Sequence, residues 1–242
     1  METSGFLIVI LIGIVAVALS YVLDHIWAAV IPFRTLYYGI RAPGVILHEC
    51  AHMAGCLVTG ARIQNVVFFS REGGSVTYSR PLIPYLGDVI ISTAPLFALP
   101  LVLSFLTSIF ENYLGCIFPQ IPSSIITGGA LTALADGIFT AFESNLVSPF
   151  NGWFLLYLYL TISLVLSMAP SAQDMKNAAI GIVLLALAGI MIIWSGIPAA
   201  IFLLGEFIAL LEIGFTLGLA YGLIALAISF PLVLWYAIKR VV

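Results

Sequence analysis

Apolar residues fill this chain in long blocks, separated by short stretches that carry charge, proline or glycine. Gly5 to Leu23 is the first block. It has no basic flank before it and no small-residue cleavage site after it, so it reads as a retained span rather than a signal peptide. Asp24-His25 and the aromatic-rich run from Trp27 to Tyr38 follow as an interfacial stretch. The next helix is expected from Ala42, with Pro43 at its start, to about Val58, ending near Gly60. The pattern then changes in kind. Arg62 to Phe69 is β-branched and aromatic, Arg71-Glu72-Gly73-Gly74 has turn chemistry, and Ser75 to Ser79 resumes a strand pattern. Together they predict a β-hairpin over residues 61–80. Backbone of that kind cannot face lipid, so the hairpin is expected at the interface or against a protein cavity.

Helical pattern returns from Leu82 to Phe110, interrupted by Pro84, Pro95 and Pro100. Glu111 to Asn151 contains Pro119, Pro122 and Gly128-Gly129, and fits a surface helix, a re-entrant segment or a short span. Trp153 to Met168 is a span that ends in Ala169-Pro170-Ser171-Ala172-Gln173-Asp174, and Ile180 to Trp194 is another. Pro198 to Ile238 is too long for one span, so one long kinked helix or two helices are expected there. Set against the roughly 20 residues that cross a bilayer as a helix, the runs predict about six, alternatively seven, transmembrane helices. The fold class expected is an all-α polytopic membrane protein, a single domain over 1–242, with one small hairpin.

Composition agrees. The chain is 62% hydrophobic and 8% charged, with a mean hydropathy of +1.20, outside the range of soluble domains. A net charge of -3 gives no basic surface for nucleic acid. Cys50, Cys56 and Cys116 show no pairing pattern and read as small buried side chains. Basic residues set an expected orientation. Arg62, Arg71 and Arg80 of the hairpin, Lys176, and Lys239-Arg240 go to the cytoplasm, leaving Arg34 and Arg41 outside. A multi-pass protein of the cell membrane follows, with a cytoplasmic N-terminus.

The chemistry is concentrated in His48-Glu49-Cys50-Ala51-His52, which holds two of the three histidines. Residues four apart share a helix face, so the two imidazoles can bind one zinc ion. Glu49 sits beside them, where it can accept a proton from a water that zinc activates. Two helix-end histidines bonded to carbonyls are the alternative reading. A catalytic zinc takes three protein ligands, which calls for a carboxylate. Asp174 has the best context, because Pro170 breaks the preceding span and a break can aim a side chain into the bundle. A helix-start cap is its plain alternative role. Asp136, in Leu134-Ala135-Asp136-Gly137, is the rival.

With these residues in place, Pro43 to Asp174 resembles the site-2 protease family of intramembrane zinc metalloproteases. The resemblance rests on His48-Glu49-x-x-His52 in a span, a hairpin soon after it, Ala94-Pro95-Leu96 in the next span, and a proline-then-aspartate motif. The family pattern has Asn-x-x-Pro followed by Asp-Gly; here Ser167 replaces the Asn, Met175 replaces the Gly, and one residue fewer separates Pro170 from Asp174. The resemblance implies that His48, His52 and Asp174 hold zinc and that Glu49 is the general base. Residues 42–174 would form the catalytic core, and 177–242 accessory transmembrane helices. The expected substrate is a membrane-embedded protein segment, cleaved near the cytoplasmic side of the bilayer. Val66, Val67, Phe68 and Phe69 are expected to bind it, because a free strand edge can add an unwound segment through main-chain hydrogen bonds. Two other classes fit the same sequence. One is a membrane metallopeptidase whose third ligand is Glu143, Glu206 or Glu212, and the other is a carrier or adaptor without enzymatic activity.

Overall fold

The computed structural model describes residues 3–68, 73–121, 129–147 and 149–241. Its elements in chain order are α1 (Thr3–Val30), α2 (Arg34–Thr59), β1 (Ile63–Val67), β2 (Ser75–Tyr78), α3 (Leu86–Leu114), α4 (Ala130–Leu146), α5 (Gly152–Leu166), α6 (Ala172–Ser195) and α7 (Pro198–Val241). The two strands pair antiparallel, with Val66 opposite Val76 and Val67 opposite Ser75. The helical class and the hairpin stand as expected.

The number of spans does not. Among the described residues, four helical stretches are long and apolar enough to cross a bilayer: Ile8–Val30, Leu86–Leu114, Ala172–Ser195 and Pro198–Lys239. That is fewer than the six or seven expected, and the reasons are local. α2 carries Arg34, Arg41, His48, Glu49 and His52, α5 has only 15 residues, and α4 has 17 with Asp136 and Glu143 exposed. Residues beyond Pro198 make one helix of 44 residues with Pro231 inside it, not two.

Helix directions follow from paired contacts. The turn between α1 and α2 is tied by Arg41 Nε to Asp24 Oδ1 at 3.2 Å and by Tyr37 Oη donating to Asp24 Oδ1 at 2.6 Å. α2 therefore runs back along α1, and the hairpin lies at the same end as the start of α1. α7 runs in the direction of α1, with Gly13 facing Phe215, Gly222 facing Leu19, and Trp27 Nε1 donating to Ser229 Oγ at 2.8 Å. The C-terminus thus sits at the end opposite the hairpin.

The core lies where α1, α3, α5 and α7 meet, around Ala16, Leu23, Leu99, Leu103, Leu164 and Ala220. Apolar residues on α6, such as Ile180, Val183, Leu187 and Met191, remain exposed, as expected for a surface that meets hydrocarbon. Pro43 lies inside α2 rather than at its start. A proline there removes the N–H that would bond Gly39 O, and Tyr159 Oη donates to that carbonyl at 3.0 Å instead. The helix continues because its missing bond is replaced from α5.

α2 and α5 touch most closely at Gly44. Its N–H donates to Ser163 Oγ at 2.9 Å, and a methyl group at this position would run into Ser163 O and Ser167 Oγ. Gly44→Ala is expected to push the helices apart and lower stability by about 1–3 kcal/mol, the usual cost of overpacking. Gly39→Ala, on the same helix with nothing within 4 Å, should be neutral or slightly stabilising. Thermal unfolding of both variants in one detergent checks the pair; equal midpoints would mean that the crossing yields.

Candidate metal centre

His48 and His52 lie one turn apart on the buried face of α2, 9% and 5% exposed. Each ring is aimed by a backbone carbonyl from another helix. His48 Nδ1 meets Ser167 O at 2.6 Å and His52 Nδ1 meets Ile91 O at 2.7 Å. A carbonyl oxygen only accepts, so both Nδ1 atoms must carry the proton, and in the neutral rings both Nε2 atoms then present lone pairs. Those two Nε2 atoms stand 3.1 Å apart. Two lone pairs at that separation repel unless a cation lies between them, so the arrangement suits a metal ion or a shared proton.

Asp174 completes the group. Its Oδ1 is 3.4 Å from His52 Nε2 and its Oδ2 is 3.8 Å from His48 Nε2. The three side chains offer ligand atoms that all lie within 4.8 Å of one another, the only such group found among the described residues. For comparison, a tetrahedral zinc with bonds near 2.0–2.2 Å sets its ligands about 3.3–3.6 Å apart. Two imidazole nitrogens and a carboxylate oxygen are also a donor set that zinc accepts. The residues fit the ion.

A break in the chain explains how Asp174 arrives. α5 ends at Leu166 because Pro170 cannot continue it, and α6 restarts at Ala172 and packs on α3, with Gly181 against Val89 and Tyr85. Ser171 caps the restart: its Oγ accepts Asp174 N–H at 3.1 Å, while its own N–H donates to Asp174 Oδ2 at 2.8 Å. The two roles weighed for Asp174, cap and ligand, are therefore compatible. The cap holds Oδ2, leaving Oδ1 toward His52. Ending α5 also frees Ser167 O for His48. One proline thus supports two of the three donors.

Glu49 is 4% exposed, and its Oε2 is buried with no hydrogen-bond partner among the described residues. A buried carboxylate oxygen without a hydrogen bond is costly and rare, which marks this group as one that waits for a proton or a ligand. The start of β2 covers it. A Cβ built on Gly74 would lie 2.5 Å from Glu49 Oε1, so only glycine lets the backbone approach this closely. Val76 and Tyr78 further along β2 pack against Cys56, Ala61 and Ile91, and Asn177 Nδ2 on α6 donates to Tyr78 Oη at 3.4 Å. Burial raises the pKa of the Tyr78 phenol, so the neutral hydroxyl is the acceptor. The hairpin is thus laid over the face of α2 that carries Glu49.

Of the residues expected to bind substrate, Val66, Val67 and Phe68 are half-buried on or beside β1, and Phe69 lies outside the described residues. Asp136 is exposed on α4 and outside the group, as are Glu143 and Glu206, while Glu212 is half-buried on α7. Asn145 and Asn151, considered as substrate contacts, instead hold the end of α3. Asn145 bonds the N–H and the C=O of Ile117, and Asn151 Nδ2 donates to Leu114 O. Ser167, Ile91, Gly74, Tyr78 and Asn177 were not anticipated. The first two act through their carbonyls, which no residue type reveals. Comparisons with protein-family models, characterised proteins and solved structures return no match to this chain.

Proposed function

We propose that this chain is a zinc-dependent endopeptidase that cleaves membrane-embedded protein segments. The observation that carries the reading is the convergence of two Nε2 lone pairs and the Asp174 carboxylate beside Glu49, whose Oε2 is buried without a partner among the described residues. The four apolar helices supply a bilayer setting for that site. His48, His52 and Asp174 would hold the ion. Zinc, when bound, contributes Lewis acidity, which acidifies a water and polarises a carbonyl. Glu49 accepts the proton and passes it to the leaving amine, a role suited to a carboxylate whose Oε2 has no partner among the described residues. The apolar β1 edge at Val66, Val67 and Phe68 would receive an unwound substrate strand, with main-chain bonds supplying affinity that depends little on sequence. A transmembrane substrate must unwind first, since its carbonyls are otherwise held within its own helix.

The motifs that resemble the site-2 protease family point the same way, and the cell membrane is the location they imply. A soluble-end metallopeptidase with a glutamate ligand is less well supported, because Glu143, Glu206 and Glu212 stand outside the histidine–aspartate group. Metal analysis of the purified protein tests the reading. About one zinc per chain is expected, together with cleavage of a transmembrane test peptide that stops when a chelator strips the metal and resumes on zinc addition. Protein free of zinc as isolated, and unable to take it up, would leave the non-enzymatic class standing.

A further inference from the structure

A proline in the middle of a helix is normally a defect, yet α3 holds Pro95 in its buried centre. In an unbroken helix the N–H of residue 95 would bond the carbonyl four residues earlier, on Ile91. Proline has no N–H, so that carbonyl is released. Ile91 O is the atom that accepts His52 Nδ1–H at 2.7 Å, and Ile91 is 0% exposed, which keeps water from competing. The same substitution of partners occurs at Pro43, whose released Gly39 carbonyl is taken by Tyr159 Oη. Pro100 provides the contrast within α3: its freed carbonyl is on Leu96, and none of the three histidines bonds there.

We propose that Pro95 is a positioning residue for His52, keeping Ile91 O available so that the ring is held as the Nδ1–H tautomer with Nε2 directed at His48 and Asp174. The inference rests on the metal-site reading above. An ordinary residue at position 95 restores a backbone N–H that competes for the same carbonyl, so the imidazole must share its acceptor and its orienting bond is weakened. Partners of this kind, one step removed from the metal, usually alter affinity 10–100-fold.

Two measurements on Pro95→Ala and Pro95→Ser test this, with Pro100→Ala as the control. In metal-free protein, nitrogen-15 NMR of labelled histidine should show His52 Nδ1 protonated and hydrogen-bonded in the wild type, and both Pro95 variants should shift toward the other tautomer. By chelator competition, zinc affinity should fall about tenfold in both Pro95 variants and stay unchanged in Pro100→Ala. Thermal midpoints of the Pro95 variants should be unchanged or raised, since a helix-breaking residue has been removed; weaker metal binding in an equally stable protein separates positioning from a folding role. Wild-type tautomer and affinity in the Pro95 variants would overturn the proposal, as would an equal loss in Pro100→Ala. A wild-type protein that binds no zinc would instead overturn the function, while the tautomer measurement still decides the role of Pro95.

Discussion

Zinc is expected to leave the protein when any one of His48, His52 or Asp174 loses its donor atom. His48→Ala and His52→Ala each remove a nitrogen whose ring is already oriented by a carbonyl bond. The fall in affinity should therefore exceed the 10–100-fold that an outer partner costs. Asp174→Asn is the sharper test, because it separates the two roles of this side chain. The amide oxygen can still accept Ser171 N–H, so the cap of α6 survives and stability changes by no more than about 1 kcal/mol. The negative charge beside His52 Nε2 is lost, and zinc per chain after dialysis against a chelator should drop sharply. Asp136→Asn, on the exposed side of α4, should retain the wild-type amount. The opposite pattern would move the metal site to Leu134–Gly137 and reduce Asp174 to a cap.

Glu49→Gln should lower peptide cleavage by about 10²–10⁴-fold, the range that a general base contributes, while zinc stays bound. Glutamine keeps the shape of the side chain but cannot take a proton. The structure adds a second consequence. Because Glu49 Oε2 is buried without a partner, the charged form carries a desolvation penalty of about 1–3 kcal/mol or more. Neutralising it should leave the fold as stable as before or more so. Lost turnover in a protein of equal or higher thermal midpoint, with metal content unchanged, is the signature of a group kept for chemistry at the expense of stability. Loss of zinc would make Glu49 structural, and unimpaired cleavage would remove it from the reaction.

Legibility in the sequence differed from feature to feature, for reasons that lie in how far apart the interacting groups are. The pairing of His48 with His52 and the nearness of Glu49 follow from helical periodicity, which is local. So does the hairpin, whose alternation and Gly73-Gly74 need only their neighbours. Prolines are legible as interruptions: Pro43 reads as a helix start, and Pro95 as an interruption within the run from Leu82 to Phe110. Each instead sits inside a continuous helix, because the carbonyl it frees is taken by a side chain from another element. Nothing in the residues beside Pro43 announces Tyr159.

What the sequence determined by itself was the apolar blocks, the helical class, the hairpin, and the face of α2 that carries two imidazoles and a carboxylate. Each depends on side chains within a few positions of one another. The tertiary structure decided which carboxylate meets the imidazoles, the reduced number of membrane-length helices, the end of the bundle at which the C-terminus lies, and the tautomer of each histidine. His48 and the carbonyl of Ser167 that orients it are 119 positions apart, and His52 and Ile91 O are 39 apart. Bonds over such separations exist only once the helices have packed, because packing, and not local preference, brings a buried carbonyl within reach of a ring nitrogen.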